Sequence, residues 1–267
     1  MKTAIAIILL FVSMTAEAQI YKGIQVVFPS LVAGNVQPGK AFTLGIRLKI
    51  EPGWHTYWKN PGDAGLPMEA TVLDAPNLSV GELRFPTPKK LSSADVATYG
   101  YEEEVVYLLS IKPKTPDAAK HFKIKLSWLV CKEVCLPGET VLEFNLDSIK
   151  SSDMKENQHL LDRWTARLPQ PGAGFNLDKA GATYHLEKNG KLQVFMKFFD
   201  VAPGTITDFF PEEIKDFVID YSKITISPDG ISMVLEPSVA TAKLAHISGL
   251  AMIGTSGYEV DLVASKE

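Results

Sequence analysis

The sequence predicts an all-β protein, built from two β-sandwich domains that are joined by a short helix and a linker. Short segments with alternating apolar and polar residues recur on both sides of a helix and linker predicted at residues 151–174. Gly/Pro turn signals separate these segments, as they do in antiparallel sandwiches. We therefore expect the first domain at residues 19–150 and the second at residues 175–267.

The chain opens with residues 1–18, which are typical of a secretory signal peptide. A positive start, Met1-Lys2, precedes an apolar run from Ala4 to Val12 and a small-x-small cleavage motif at Ala16-Glu17-Ala18. The alternative is a membrane anchor, but the apolar run is too short to span roughly 30 Å of hydrocarbon. We expect cleavage before Gln19, a soluble periplasmic protein, and no transmembrane segment after cleavage.

The composition limits the classes of partner. Of the 267 residues, 46% are hydrophobic, which is enough for packed cores, and the formal net charge is −4. The charges are interspersed and form no basic block, so we expect no nucleic-acid partner.

The first domain is predicted to consist of short strands. The clearest alternates Phe42, Leu44 and Ile46 on one face with Thr43 and Arg47 on the other. The predicted strands are Gly23–Phe28, Ala41–Ile50, Glu104–Ile111, Phe122–Val130 and Val141–Leu146. Turns are predicted at Gln37-Pro38-Gly39, Glu51-Pro52-Gly53, Asn60-Pro61-Gly62 and Pro137-Gly138.

A helix is predicted from Asp153 to Leu168. Asp153 and Glu156 have the spacing of a capping box, and Leu160, Leu161, Trp164 and Leu168 recur at helical spacing. Two prolines, Pro169 and Pro171, end it.

The second domain is again predicted to be strands and contains no cysteine, so we interpret it as a support or interaction domain. The apolar stretch Phe209-Phe210-Pro211 is expected in a loop, and buried rather than a surface patch. The predicted strands are Thr183–Glu187, Lys191–Phe198, Lys223–Ile226, Ile231–Leu235, Gly249–Ile253 and Gly257–Val263.

Cys131 and Cys135 are the only cysteines of the chain. Four residues of extended strand span roughly 13 Å, too far for a disulfide, whose Cα atoms lie within about 7 Å. The two can pair if Lys132-Glu133-Val134 form a tight hairpin turn, or if the segment is one helical turn. Closing so short a loop stabilises a fold by only about 1–2 kcal/mol, which favours a bond that exchanges over a structural staple.

Two alternatives to an exchanging disulfide remain open, an inert structural disulfide and a Cu(I) site on the two cysteines. Zinc would need two further ligands. No histidine is close to the cysteines in sequence, and we interpret all of them as surface or packing residues: His55, His121, His159, His185 and His246. No other catalytic motif is present, and no bound cofactor is expected.

Three strings of the first domain resemble the DsbD N-terminal domain family, especially its ScsB-like branch. They are Trp128-Leu129-Val130-Cys131-Lys132-Glu133-Val134-Cys135-Leu136-Pro137-Gly138, then Pro52-Gly53-Trp54-His55-Thr56-Tyr57-Trp58-Lys59-Asn60-Pro61-Gly62-Asp63-Ala64-Gly65-Leu66-Pro67, and Tyr99-Gly100-Tyr101-Glu102. The resemblance covers most of residues 20–146, and the second half resembles the rest of the ScsB-like periplasmic region more loosely.

The resemblance implies an immunoglobulin-like sandwich in which Cys131 and Cys135 exchange disulfides. It implies a thioredoxin-like or CcdA/DsbD-like electron donor, and periplasmic thiol–disulfide substrate proteins as acceptors. The protein would then be a protein-disulfide reductase or a component of thiol–disulfide interchange. Members of the family shield the cysteines with a cap loop, for which Asp95 to Tyr101 is the candidate here.

Six residues are candidates for controlling the access of partners. Tyr99 is either the covering side chain of the cap or a core aromatic at a strand start, and Trp54 and Tyr57 either pack in the core or form a wall beside the cysteines. The six are Tyr99, Gly100, Tyr101, Trp54, Tyr57 and Trp128.

Two features depart from better-known family members. The spacing between the cysteines is narrower, and the sequence contains neither a membrane-spanning conduit nor a thioredoxin-like domain. We therefore expect the reductant to be a separate polypeptide. The main alternative is a non-catalytic binding or scaffold protein with a static disulfide. In one form of this alternative, the protein handles Cu(I).

Overall fold

The structure is a computed structural model that describes residues 20–21, 24–91, 96–177 and 180–267. The predicted signal peptide at residues 1–18 and the predicted mature start at Gln19 lie outside the described residues.

We call the strands that precede residue 151 the first domain and those that follow the helix the second domain; the first domain has twelve described strands. They are β1 Ile20–Tyr21, β2 Ile24–Gln25, β3 Val27–Ala33, β4 Phe42–Ile50, β5 His55–Gly62, β6 Glu69–Leu73, β7 Leu78–Arg84, β8 Lys89–Lys90, β9 Thr98–Glu102, β10 Glu104–Pro113, β11 His121–Cys131 and β12 Cys135–Asn145.

These strands form two main antiparallel sheets. One has the order β3-β4-β10-β7, and the other has the order β12-β11-β5-β9-β8, with β6 also pairing with β11. In β11 the side chains at even positions, from Phe122 to Val130, are all buried in the core, while Lys123 and Lys125 face outward. A half-buried strand with this period needs one covered face, and the opposing sheet covers it.

A 3₁₀ turn, Leu146–Ser148, leads into helix α1, Ser151–Thr165. The helix packs on the outer side of the four-stranded sheet. Leu161 reaches Gly45 of β4 so closely that a Cβ there would lie 2.8 Å from the leucine side chain. The absence of a side chain at Gly45 therefore makes room for the helix.

The capping box predicted at Asp153 is wrong. The N-cap is Lys150, whose side chain makes no capping hydrogen bond, and Asp153 lies inside the first turn, where it accepts a hydrogen bond from Ser152. The Asp153 carboxylate still interacts favourably with the positive end of the helix dipole. The Asp153–Glu156 spacing therefore resembles a capping box, although Asp153 is not the N-cap.

The second domain contains the strands β13 Gln170–Pro171, β14 Ala180–Leu186, β15 Leu192–Phe198, β16 Asp208–Pro211, β17 Phe217–Ser227, β18 Gly230–Pro237, β19 His246–Ile253 and β20 Ser256–Lys266, with a 3₁₀ turn at Gly172–Phe175. Their order is β16-β19-β20-β14-β15-β18-β17, and they enclose a separate apolar core. The predicted all-β fold with one helix between two β regions is confirmed.

Three predicted loops and turns are strand residues instead. Phe209-Phe210-Pro211 is buried, as expected, but it forms β16 and pairs with β19. Asn60-Pro61-Gly62 ends β5, where the pairing with β9 shifts register between Tyr57 and Gly62. Pro137-Gly138 lies in β12, the last strand in its sheet order, where a residue without an N–H is tolerated.

The two domains share an apolar contact. Phe210, Leu250 and Met252 of the second domain join the core of the first. The ring of Tyr99 on β9 lies 4.6 Å from the ring of Phe210 and 5.9 Å from that of Tyr221.

Candidate functional site

The cysteine pair closes the hairpin between β11 and β12. Cys131 is the last residue of β11 and pairs with Cys135, the first residue of β12, with Lys132-Glu133-Val134 as the loop. The two form a disulfide with a Cα–Cα distance of 4.1 Å. Of the two geometries that the spacing allows, the structure therefore has the hairpin.

The two sulfur-bearing side chains differ in exposure. Cys131 is 3% exposed, whereas Cys135 is exposed. Cys131 lies between two strands, because it pairs with Cys135 on one side and with His55 of β5 on the other. Cys135 begins the strand at the end of the sheet and is approachable from solvent.

The disulfide lies on the sheet face that points away from the core. Side chains alternate along β11, so Cys131 is opposite in direction to Trp128 and Val130, which are core residues. On β5 the same alternation places His55 and Tyr57 on the face of the cysteines, and Trp58 in the core.

Tyr57 is the aromatic residue that reaches the disulfide. Its hydroxyl lies 4.0 Å from Sγ of Cys135, and its ring meets the His55 ring edge-on with centroids 5.2 Å apart. Burial raises the pKa of Tyr57, so the phenol is protonated at neutral pH. The segment after β5 closes over this ring, since a Cβ at Gly65 would lie 2.4 Å from it.

Burial also lowers the pKa of His55, and the nearby Glu102 carboxylate partly opposes that effect. Its imidazole is therefore neutral at pH 7.

The cap candidates of β9 lie elsewhere. Tyr99 is 1% exposed and packs against Trp58, Phe210 and Tyr221, on the face opposite the cysteines. These contacts are those of a core aromatic, one of the two interpretations of Tyr99. Asp95, where the candidate cap begins, lies outside the described residues.

Tyr101 is also buried, and its hydroxyl donates a hydrogen bond to the carbonyl oxygen of Pro86 at 2.7 Å. Gly100 pairs with Tyr57, and a Cβ there would lie 2.0 Å from the Thr56 carbonyl oxygen. Gly100 thus permits β9 to approach β5 closely behind the site.

The two tryptophans have different positions. Trp128 is 4% exposed and belongs to the core of the first domain. Trp54 is 5% exposed and belongs to the same core, and it packs edge-on against Tyr21. Both residues line a cavity of about 210 Å³ with the hairpin-loop residues Lys132, Glu133 and Val134. Trp54 is therefore beside the hairpin, and Trp128 is behind it.

His55 lies beside the cysteine pair, a position that the sequence does not predict. The sequence predicts only a surface or packing histidine there, because 76 positions separate it from Cys131. The available signal was its alternation with Tyr57 in the aromatic string. What the sequence does not contain is the pairing of β5 with β11, which brings His55 next to Cys131.

Neither a metal cluster nor a membrane-spanning helix is found in the described part of the chain. No group of three or more His, Cys, Asp or Glu side chains there is arranged to hold a metal ion. Among the same residues, no helix has the length and apolarity to cross a bilayer.

Comparison with known proteins finds a family match within the first domain. Residues 26–147 match the family described as "Thiol:disulfide interchange protein DsbD, N-terminal". Over these residues the chain is similar to the DsbD N-terminal domain family. The match includes the disulfide hairpin and the β5 residues that pack beside it. A search of curated protein sequences found no match.

Solved structures extend the likeness beyond the DsbD N-terminal domain. The N-terminal periplasmic domain of ScsB from Proteus mirabilis superposes with a TM-score of 0.71 at 15% identity, covering 93% of this chain and 97% of that one. At this identity the likeness shows the fold, which the two chains share over both domains. The reduced DsbD N-terminal domain of Neisseria meningitidis gives a TM-score of 0.30 at 18% identity, covering 45% of this chain and 85% of that one.

Proposed function

We propose that the protein is a periplasmic thiol–disulfide exchange module that passes reducing equivalents through Cys131 and Cys135. A thioredoxin-like or membrane-embedded donor reduces the pair, and the reduced pair then reduces disulfides in exported proteins. The observation that carries this proposal is a disulfide across a three-residue loop with one exposed cysteine, in a domain similar to the DsbD N-terminal family.

Exposure assigns different tasks to the two cysteines. Thiol–disulfide exchange needs a sulfur that an incoming thiolate can reach. Cys135 meets this condition and Cys131 does not. Cys135 therefore forms the mixed disulfide with a partner, and Cys131 resolves it.

Tyr57 and the segment from Asp63 to Pro67 take the place of a cap in this proposal. The Tyr57 hydroxyl lies beside Cys135, and Gly65 lies against the Tyr57 ring. Leu66 is 61% exposed next to that glycine and offers an apolar contact to a docking partner.

The periplasmic location rests on two observations. The start of the sequence is typical of an export signal. The ScsB domain of the same fold is a periplasmic one.

The test is to trap mixed disulfides in the cell envelope. The Cys131→Ala variant keeps the exposed sulfur and lacks the resolving one, so it should accumulate covalent, dithiothreitol-sensitive complexes with other proteins. The matched Cys135→Ala variant should form few or none. Equal amounts of complex for both variants would contradict the assignment.

Redox equilibration of the purified wild-type protein separates exchange from the static alternative. An exchanging pair equilibrates with glutathione or dithiothreitol at a potential between about −120 and −270 mV, the range of known carriers. A static disulfide would resist reduction and have a potential below about −300 mV. That second result, without trapped complexes, would exclude the proposed function.

A further inference from the structure

Four strands of one sheet carry a continuous row of side chains across the disulfide. The strand register pairs Glu102 of β9 with His55 of β5, His55 with Cys131 of β11, and Cys131 with Cys135 of β12. Residues directly opposite each other in antiparallel strands share a face, and their Cα atoms are about 4.5–5.5 Å apart. The register therefore places Glu102 on one side of His55 and the buried Cys131 on the other.

The buried sulfur has a chemical need that this row meets. The nucleophile in thiol–disulfide exchange is the thiolate, and burial in apolar surroundings disfavours the thiolate. Cys131 is 3% exposed, so solvent has little access to its proton. A resolving cysteine in this position requires a neighbouring group that accepts the proton.

His55 is neutral at pH 7, because burial lowers its pKa, and it can therefore accept a proton. The titratable residues facing it are Glu102 from β9, Cys131 from β11 and Tyr57 from its own strand. Tyr57 keeps its own proton at neutral pH, because burial raises its pKa. Lys132 and Glu133 are exposed in the hairpin loop.

We propose that His55 exchanges a proton with the Cys131 sulfur during disulfide interchange, and that Glu102 positions and stabilises the imidazolium that forms. The inference rests on the proposed function. His55 is a proton-transfer residue in this scheme, and Glu102 is a positioning residue that acts through His55.

The resolving step begins from the mixed disulfide with the partner. Cys135 has attacked a partner disulfide, and one partner sulfur is bonded to Cys135 Sγ. The Cys131 thiol gives its proton to neutral His55, and the resulting thiolate attacks Cys135 Sγ. The Cys131–Cys135 bond forms, and the bond to the partner breaks. The partner sulfur leaves with the electron pair and takes a proton from solvent, so the partner has gained two electrons and the pair has lost two.

A chromogenic disulfide separates the two chemical steps in one trace. Reduced protein is mixed with one equivalent of 5,5′-dithiobis(2-nitrobenzoate) in a stopped-flow instrument. Attack by Cys135 releases the first thionitrobenzoate, and attack by Cys131 on the mixed disulfide releases the second. In the His55→Asn variant, we expect the second phase to slow by about 100-fold, the lower range of general acid–base effects, with the first phase nearly unchanged.

Three further variants distinguish proton transfer from packing. His159→Asn removes an exposed histidine of α1 and should change neither phase. Glu102→Gln removes the negative charge that raises the pKa of His55, so the inflection in the pH profile of the second phase should move to lower pH. Added imidazole should accelerate the second phase in a His55→Ala variant.

The outcomes separate this inference from the function on which it rests. If the wild-type protein releases no second equivalent in a unimolecular phase, the exchange function itself fails. If wild type shows both phases and His55→Asn leaves the second phase and its pH profile unchanged, the role of His55 is excluded while the function stands. If the His55 variants do not fold, the Glu102→Gln variant provides the test. An unshifted inflection in the pH profile of its second phase excludes the role of His55.

Discussion

Gly65 is the residue that lets the segment after β5 lie against the Tyr57 ring beside the disulfide. Its φ of +129° is unfavourable for other residues, and its Cα approaches the Tyr57 ring so closely that a methyl group would overlap it. The sequence contains this glycine in a string with several turn residues, but only the structure shows that it faces the ring next to Cys135.

Replacing Gly65 with alanine should therefore destabilise the first domain and open the site. We expect a loss of about 1–3 kcal/mol in the free energy of unfolding, from backbone strain and the overlap with Tyr57. Urea denaturation measures the loss, and reduction by dithiothreitol should be faster than in wild type.

Gly190→Ala is the matched control for this change. Gly190 also has a positive φ, +84°, but a Cβ there meets nothing within 4 Å. The Gly190→Ala variant therefore measures the cost of backbone strain without any contact to Tyr57. Equal losses and equal reduction rates in the two variants would show that the contact has no part in covering the disulfide.

Among the elements, the β11–β12 hairpin is held by much more than its disulfide. The strands pair over eleven consecutive residues each, from His121 opposite Asn145 to Cys131 opposite Cys135. Outward-facing ion pairs, Lys123 with Glu143 and Lys125 with Glu139, lie across the same two strands. The bridge adds only a short closed loop at the end of this ladder.

Reduction of the disulfide should therefore leave the hairpin folded. Because few residues are enclosed, we expect the free energy of unfolding to fall by only about 1–2 kcal/mol. Urea denaturation with and without dithiothreitol measures the difference, and the circular dichroism of the reduced protein should match that of the oxidised one. A loss above about 4 kcal/mol would identify the bond as a structural staple.

The elements that could be predicted from the sequence are those with a clear period. β4 and β11 alternate, and α1 repeats Leu160, Leu161 and Trp164 at helical spacing, so each was predicted within a few residues of its bounds. Strand β16 was missed because Phe209-Phe210-Pro211 has no alternation, and its pairing with β19 is set by tertiary contact. The cysteine spacing predicts a close pair but leaves a hairpin and a helical turn open, and the neighbours of the pair depend on the strand order.

At the scale of the whole molecule, Asn60 joins the two domains. Its side chain is 6% exposed, donates a hydrogen bond to the carbonyl oxygen of Pro211 at 2.7 Å, and accepts one from the Tyr221 hydroxyl at 3.0 Å. An exposed ion pair between Lys59 and Glu212 lies next to it.

The Asn60→Ala variant should uncouple the two domains. The Pro211 carbonyl and the Tyr221 hydroxyl would lose their partner in a buried contact, at a cost of about 1–3 kcal/mol for each group. We expect calorimetry to show two separated unfolding transitions where the wild type shows one.

Lys59→Ala is the control at the same interface, because an exposed ion pair contributes only about 0–1 kcal/mol. It should leave the single transition nearly unchanged. A single transition in Asn60→Ala as well would show that the apolar contact around Tyr99 and Phe210 is sufficient to couple the domains.

Strand β5 carries His55 and Tyr57 beside the disulfide and Asn60 at the domain interface. Tyr57 and Asn60 are three residues apart, which is about 10 Å along an extended chain. Strand β5 therefore connects the second domain directly to the site around Cys135. Under the proposed function, we expect this domain to limit the size of the proteins that can reach Cys135, so residues far from both sulfur atoms would affect the choice of partner.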